Sequence, residues 1–169
     1  MKLIDIGCFN GDSVLHFVAD PEVDSIVAYD PNPRFHGIWQ AIADHYPHII
    51  FVNKAISNKN GQAEYNLMPE RRPLGSSITK DKRDFGNGQH LQVDVIDIAE
   101  VIDSDCWLKL DSEGEEFNIL ERLIETDKLK HIKRIYLEWH TSKLQGDYRP
   151  RYEAIVKELE KQNVDVRGW

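Results

Sequence analysis

This 169-residue chain has only two cysteines and no long apolar run. The two cysteines, Cys8 and Cys106, have neither the number nor the spacing of a disulfide framework or a zinc site, and both are expected to be buried thiols. No segment approaches the roughly 20 apolar residues of a membrane span, and charges at Lys2 and Asp5 interrupt any signal-peptide core. These absences predict a cytoplasmic protein without a membrane partner.

Positive charge is also in deficit. The chain has 21 Lys and Arg against 29 Asp and Glu, which gives a formal net charge of −8. Nucleic-acid phosphates and anionic membranes favour a basic surface, so no nucleic-acid partner is expected. The length suits one domain, residues 1–169, with a single substantial core.

Short apolar runs alternate with helical patterns along the chain. The runs are rich in β-branched or aromatic residues, as buried strands are, and they cover residues 3–6, 26–29, 49–52, 107–110 and 135–139. Apolar residues at helical spacing follow in 35–46 and 152–159. This alternation predicts an α/β fold with a mostly parallel sheet and helices on both faces.

Two stretches interrupt the alternation. Asn60-Gly61 lies between strand-like segments and predicts a tight hairpin turn, because both residues tolerate positive φ. The polar stretch 68–90 lacks apolar periodicity, and loops of this length within a compact domain are commonly lids or binding loops. Beyond it, Asp97 is expected to cap a short helix that runs to Ile102.

The segment LIDIGCFNGDSVLHFV near the start predicts a strand, a glycine-containing loop and a helix. Gly7 and Gly11 follow the strand, and Asp12 or Ser13 is expected to cap the helix N-terminus. A helix start of this kind favours an anionic group, and glycine lets a ligand approach the backbone closely. Asp5, just before the bend, could pair with an ammonium group of the same ligand.

The spacing of these residues narrows the choice of ligand. A dinucleotide fingerprint would place glycine where this chain has Phe9 and Asp12, so a nicotinamide oxidoreductase is disfavoured. Asp30 follows the second strand, 19 residues after Gly11, where a carboxylate can accept hydrogen bonds from both ribose hydroxyls. A nucleoside joined to an amino-acid zwitterion satisfies these positions, and S-adenosylmethionine is such a molecule.

The chain resembles the FkbM-type methyltransferases, a branch of the S-adenosylmethionine-dependent Rossmann-like class. DIGCFNGDS is similar to the family's first motif, YDPNP to its ribose motif, NKAISNKNGQAEYNL to its third strand and hairpin, and LGSSI to its serine-bearing loop. The most specific match is LKLDSEGEEFNILERL, which resembles the signature K-x-D-x-E-G-x-E at the end of the fourth strand, and IYLEWH resembles the end of the fifth. The resemblance implies a Rossmann-like methyltransferase fold over most of the chain.

The resemblance also implies roles for individual residues. The first motif would contact the methionine part of the cofactor through its aspartate and two glycines, Asp30 would bind the ribose, and Ala55 or Ile56 would flank the adenine. Asp111 and Glu113 would face the transfer site. The full set of residues expected to bind the cofactor is Asp5, Gly7, Cys8, Asn10, Gly11, Asp30, Pro31, Asn32, Ala55, Ile56 and Asp111.

A hydroxyl acceptor must lose its proton during methyl transfer, so a base is required. The candidates are Asp111, Glu113 and His140, and His140 is the first choice because its ordinary pKa is already near neutral. His140 could instead hold a loop by a hydrogen bond, and Glu113 and Glu115 could be first-turn acids that stabilise a helix N-terminus. Asp111, Glu113, Glu138 and His140 could together ligate a divalent cation, but a metal is not favoured.

Two functions remain open at this point. The first is S-adenosylmethionine-dependent O-methylation of a small molecule or a glycan, and the alternative is a non-catalytic Rossmann-like module that binds a nucleoside or a partner protein. The sequence ends at VDVRGW, where the class would add an antiparallel seventh strand, so the sheet is expected to be one strand short. An exposed edge strand invites pairing, which leaves a homodimer open.

Overall fold

The computed structural model describes residues 1–71, 74–83 and 88–169, so part of the predicted 68–90 loop lies outside the described residues. The described elements are β1 (Lys2–Ile6), α1 (Asp12–Val18), β2 (Ser25–Tyr29), α2 (His36–His45), β3 (Ile49–Val52), β4 (Ala55–Ser57), β5 (Gly61–Leu67), β6 (Gln89–Asp97), α3 (Ile98–Val101), β7 (Cys106–Leu110), α4 (Glu116–Glu125), β8 (Ile132–Leu137), α5 (Arg149–Lys161) and β9 (Asp165–Gly168). Within these ranges no helix combines the length and the apolar character needed to cross a bilayer.

Six strands form a parallel sheet in the order β3-β2-β1-β7-β8-β9. Strand β1 pairs with β2 on one side and β7 on the other, so that Ile6 lies opposite both Tyr29 and Leu110. The carboxyl ends of these three strands therefore meet at one edge of the sheet. The predicted fold class, an α/β Rossmann-like architecture with a mostly parallel sheet, is confirmed.

Helices cover both faces of this sheet. Leu3 packs in a cluster with side chains from α1 and α2, whereas Ile4 and Ile6 pack in a second cluster with α4 and α5. The alternation follows from the two-residue period of a strand. Every residue of β7 is buried, which explains why the central strands are apolar without a polar face.

The prediction of a hairpin at Asn60-Gly61 is wrong, because the two strands that this turn joins, β4 and β5, do not pair with each other. A smaller sheet has the order β4-β6-β5, so the turn joins two strands that lie on either side of β6. The antiparallel pair is β5 with β6, and the long 68–88 segment connects them. Asn60 still shapes the turn, because its side-chain oxygen accepts a hydrogen bond from the backbone N–H of Asp97 at 2.9 Å.

Element ends differ from prediction in two places. Gly11, at φ +93°, is the N-cap of α1, and neither Asp12 nor Ser13 caps it, since the Ser13 hydroxyl donates to Asp5 at 2.5 Å. The fifth strand of the sheet ends at Leu137 and not at residue 139. The prediction for α3 is confirmed, because the Asp97 carboxylate accepts from the N–H of Ala99 at 2.9 Å.

Candidate functional site

A cleft opens at the carboxyl edge of the parallel sheet. Gly7 lines it after β1, Asp30 after β2 and Asp111 after β7. The space within it, including the part open to solvent, is about 650 Å³. Ligands of open α/β sheets bind at this edge, so the cleft is the candidate active site.

A second wall of the cleft comes from the smaller sheet and the loop that follows it. Ala55 and Ile56 of β4 contribute apolar side chains, and Tyr65 of β5 lies beside them, 4% exposed. Ser76 and Ser77 line the cleft from the described part of the long loop. The loop is anchored to β5 because Asn66 and Ser77 exchange two backbone hydrogen bonds, at 2.8 and 3.2 Å.

Gly7 allows the tight turn at the end of β1. Its φ is +80°, and its N–H donates to the carbonyl oxygen of Tyr29 at 2.9 Å. A Cβ atom at this position would lie 1.7 Å from the carbonyl oxygen of Asp111. Only glycine can therefore occupy the point where the first turn crosses the segment after β7.

The Asp30 carboxylate is held by the backbone on both oxygens. The N–H of Phe9 donates to Oδ2 at 2.9 Å, and the N–H of Asn32 donates to Oδ1 at 2.8 Å. Burial raises the pKa of Asp30 to about 6, although these two hydrogen bonds act to lower it. Each carboxylate oxygen can accept two hydrogen bonds, so each retains capacity for a further donor.

The segment after β7 folds around the carboxylate of Glu116. Glu116 accepts from the backbone N–H of Ser112 at 2.9 Å, from the N–H of Gly114 at 3.1 Å and from Nδ1 of His140 at 3.0 Å. Gly114, at φ +121°, is packed so closely that a Cβ atom would lie 2.8 Å from Leu144 Cδ2. Glu116 is fully buried and thus fixes the loop that carries Asp111 and Glu113.

Glu113 connects this loop to two lysines. Its Oε2 lies 2.9 Å from Lys82 Nζ and 2.8 Å from Lys143 Nζ. Burial acts to raise the pKa of Glu113, but hydrogen bonds from Lys143 and Lys82 hold it below its ordinary value. Glu113 also has φ +56°, a left-handed conformation that is costly for a residue with a side chain.

His140 faces a group of carboxylates. Its Nε2 lies 3.5 Å from Glu138 Oε1, 3.7 Å from Glu113 Oε2 and 3.8 Å from Asp111 Oδ1. Burial acts to lower the pKa of His140, but the hydrogen bond and charge of Glu116 raise it above its ordinary value. The pKa of Asp111 is also raised above its ordinary value. Burial is the main cause, the charge of Glu138 adds to the rise, and the charge of Lys109 opposes it.

Asp5 lies under the first turn and does not line the cleft. It is fully buried, with its Oδ1 3.3 Å from Lys109 Nζ. Lys109 also donates to the carbonyl oxygen of Gly7 at 2.7 Å. The ammonium partner expected from the ligand at Asp5 is thus supplied by the protein's own Lys109, which corrects the placement of Asp5 at the ligand surface.

The structure brings one part of the predicted set together and separates another. The predicted residues that line the cleft are Gly7, Asp30, Pro31, Ala55, Ile56, Asp111 and Glu113. The predicted residues that do not line it are Asp5, Cys8, Asn10, Gly11, Asn32 and His140. Cys8 is fully buried, and burial raises the pKa of its thiol well above its ordinary value. The binding contacts themselves remain predictions.

Several residues around the site were not assigned from the sequence. Lys109 and Glu116 lie within the signature LKLDSEGEEFNILERL, but the signature did not indicate their roles. The same holds for Ser76 and Ser77 in LGSSI. Lys82 gave no local signal, because it meets Glu113 only through the fold, 31 residues along the chain. Glu115, expected as a first-turn acid, is the N-cap residue of α4, and its contacts with Ser57 and Thr79 on two other segments were not expected.

A protein-family model matches most of the chain. The family model described as "Methyltransferase FkbM domain" matches residues 5–165. Neither a curated protein nor a solved structure matches the chain. The matched range contains all the described residues that line the cleft and the complete segment around Glu116. On this match the chain belongs to the FkbM methyltransferase family.

Proposed function

We propose that the cleft binds S-adenosylmethionine and that the protein transfers its methyl group to a hydroxyl of a small molecule or a glycan. The observation that supports this most is the convergence of Gly7, Asp30 and Asp111 on one cleft at the carboxyl edge of the sheet. An acidic residue after the second strand, near a glycine turn after the first, suits a ribose-containing ligand. Membership of a methyltransferase family makes a methyl donor the fitting nucleoside.

The chemistry of Asp30 fits the ribose of this cofactor. One acceptor position on each carboxylate oxygen is used by a backbone N–H, and the other is available to a ribose hydroxyl. The cleft beside Asp30 continues to Ala55, Ile56 and Tyr65, which offer an apolar surface for a flat base. Asn32 keeps Asp30 in place through its backbone N–H, and Pro31 lines the cleft beside it.

The transfer end is proposed to lie near Asp111 and Glu113. Positive charge leaves the sulfur as the methyl moves to the acceptor oxygen, so charge is dispersed and strong oxyanion stabilisation is less necessary. Catalysis then depends chiefly on holding the two reactants in line, which is worth roughly 7–11 kcal/mol in well-oriented intramolecular cases. The buried Glu116 network keeps Asp111 and Glu113 in position for this task.

Titration calorimetry with S-adenosylmethionine tests the cofactor proposal. Asp30→Asn retains an acceptor for one of the two backbone N–H groups but lacks the second carboxylate oxygen and the charge, so it should bind the cofactor at least tenfold more weakly. Asp44→Ala, at an exposed side chain of α2, is the matched control and should bind like the parent. Circular dichroism confirms that each variant is folded.

A screen of hydroxylated acceptors with isotope-labelled cofactor, read by mass spectrometry, tests the reaction. Transfer of labelled methyl to a hydroxyl supports the proposal. Absence of cofactor binding by the parent protein would defeat it. Binding without transfer to any hydroxylated small molecule or glycan would favour the non-catalytic nucleoside-binding alternative.

A further inference from the structure

We infer that Asp111, Glu138 and His140 form a site for one divalent transition-metal cation, which holds the acceptor hydroxyl beside the methyl group. The inference rests on the proposed function for its role in the reaction, but the cation site stands on its own geometry. Three ligand atoms, one from each residue, lie within 4.8 Å of one another. Asp111 also lines the cleft, so the site adjoins the place proposed for methyl transfer.

The separations between these atoms suit ligands of a shared ion better than hydrogen bonds. His140 Nε2 is 3.5 Å from Glu138 Oε1 and 3.8 Å from Asp111 Oδ1. N–H···O hydrogen bonds are ~2.7–3.2 Å long, so neither carboxylate is at bonding distance. Two ligands about 2.1 Å from one ion, at a tetrahedral angle, are about 3.4 Å apart.

The orientation of His140 supports the same inference. The side chain is 3% exposed, and Nδ1 lies 3.0 Å from the fully buried Glu116. That contact requires the N–H on Nδ1, which directs the other ring nitrogen at the carboxylates. Among the described residues Nε2 has no hydrogen-bond partner. A carboxylate that fixes the tautomer of a histidine in this way is the usual support of a metal-ligating imidazole.

The carboxylates around His140 carry more negative charge than the neighbouring side chains neutralise, which favours binding of a cation. Glu113 is neutralised by Lys82 and Lys143. In the part of the chain that the structure describes, neither Glu116 nor Glu138 has a Lys or Arg side chain within 4.0 Å. Lys109 Nζ lies 3.5 Å from Asp111 Oδ2, so a divalent ion would balance the negative charge that remains beside His140, chiefly that of Glu116 and Glu138.

The ligand set selects the kind of ion. Imidazole with two carboxylates suits Mn²⁺, Zn²⁺ or Fe²⁺ better than Mg²⁺ or Ca²⁺, which prefer oxygen ligands alone. Three protein ligands leave coordination positions for an acceptor oxygen. A cation held there would make the proton of an acceptor hydroxyl easier to lose to solvent. The O–CH₃ bond would form as the S–CH₃ bond breaks and S-adenosylhomocysteine leaves, with His140 as a ligand and not as the base.

Binding of Mn²⁺ alone to the full chain tests the site. The chain is treated with a chelator, dialysed and titrated with Mn²⁺ while free Mn²⁺ is measured by electron paramagnetic resonance. We expect one saturable site per chain. Glu138→Gln, at a side chain that is 46% exposed and thus tolerant of change, should weaken binding at least about tenfold, because even loss of an outer-shell partner costs 10–100-fold.

Glu64→Gln is the matched control. Glu64 lies 3.1 Å from Nδ1 of His90 at an exposed position, so this variant also removes a carboxylate beside a histidine, but at a place where the described residues form no cluster of three ligands. It should bind Mn²⁺ like the parent. No saturable binding, or equal binding by the Glu138→Gln variant and the parent, overturns the inference. Calorimetry of S-adenosylmethionine with the metal-free chain separates the two proposals, since cofactor binding without Mn²⁺ binding defeats only the cation site.

Discussion

Lys109 Nζ lies 3.3 Å from Asp5 Oδ1, and the two side chains are 2% and 0% exposed. They come from adjacent strands, where Asp5 and Lys109 are paired residues of β1 and β7. Lys109 also donates to the Gly7 carbonyl and lies 3.5 Å from Asp111 Oδ2. One buried ammonium group thus ties together the two turns that form the candidate active site.

Lys109→Met should destabilise the protein by about 3–5 kcal/mol, because it leaves a buried carboxylate without its counter-charge. Asp5→Asn combined with Lys109→Met should recover part of this loss, since the double variant has no unpaired charge at Asp5. Urea unfolding of the two single variants and the double variant measures the coupling. Lys133→Met, at an exposed pair with Asp105, is the control and should change stability little. Additive effects of the two buried substitutions would contradict the predicted coupling.

Gly7→Ala should prevent the first turn from forming as described. The added Cβ would lie 1.7 Å from a backbone oxygen, and backbone atoms cannot move aside as a flexible side chain can. We expect a loss of several kcal/mol or failure to fold, and no binding of S-adenosylmethionine. Gly37→Ala is the matched control, since Gly37 lies in α2 and no described residue comes within 4 Å of the added atom. It should be neutral or raise stability by about 0.5–1 kcal/mol. If the Gly7→Ala chain were as stable as the parent, the close approach of residue 7 to the Asp111 carbonyl oxygen would be refuted.

The sequence predicts the local features of this protein better than its long-range contacts. The helix cap at Asp97 was predictable because its partner, Ala99, is two residues away. The turn at Asn60-Gly61 was also predictable, but its pairing was not, because β6 enters between the two flanking strands from about 30 residues further along.

In the candidate site, too, the sequence does not predict contacts between residues far apart along the chain. The resemblance gave Asp30 and Asp111, which do line the cleft. It also placed Asp5 at the ligand, because the sequence does not show that Lys109, 104 residues later, neutralises it. A residue's distance along the chain from its partner therefore decides how far its role can be inferred from a motif alone.

The affinity for S-adenosylmethionine should fall as pH decreases through 6. The pKa of Asp30 is about 6 in the folded protein, so the carboxylate becomes protonated below that pH and accepts hydrogen bonds less strongly. If only the ionised form binds ribose well, the Kd at pH 5 should be up to about tenfold higher than at pH 7.5. Calorimetry at the two pH values measures this. Asp30→Asn should lack this step, and a step of the same size in that variant would assign the pH dependence to another group.

The same pKa has a consequence for stability. Asp30 ionises less readily when folded than when unfolded, where its pKa is near 3.8. The native state therefore holds the proton more tightly, and the resulting stabilisation is complete below pH 3.8 and is lost as pH rises through 6. The parent should lose about 2–3 kcal/mol relative to Asp30→Asn between these limits. Urea unfolding of both proteins across this range measures the change. A rise in the stability of the parent relative to Asp30→Asn as pH increases would contradict the prediction.

Glu113 supplies a test of strain that is separate from charge. Glu113→Ala and Glu113→Gly both remove the ion pairs with Lys82 and Lys143. Only glycine accepts φ +56° without steric cost, so Glu113→Gly should be more stable than Glu113→Ala by about 0.5–1 kcal/mol. Glu153, exposed within α5, provides the inverse control, because glycine should be less stable than alanine in a helix by about 1 kcal/mol. Urea unfolding of the four variants gives both differences. A preference for alanine at both positions would show that residue 113 relaxes to negative φ once its lysine partners are lost, and that the ion pairs hold the strained turn in place.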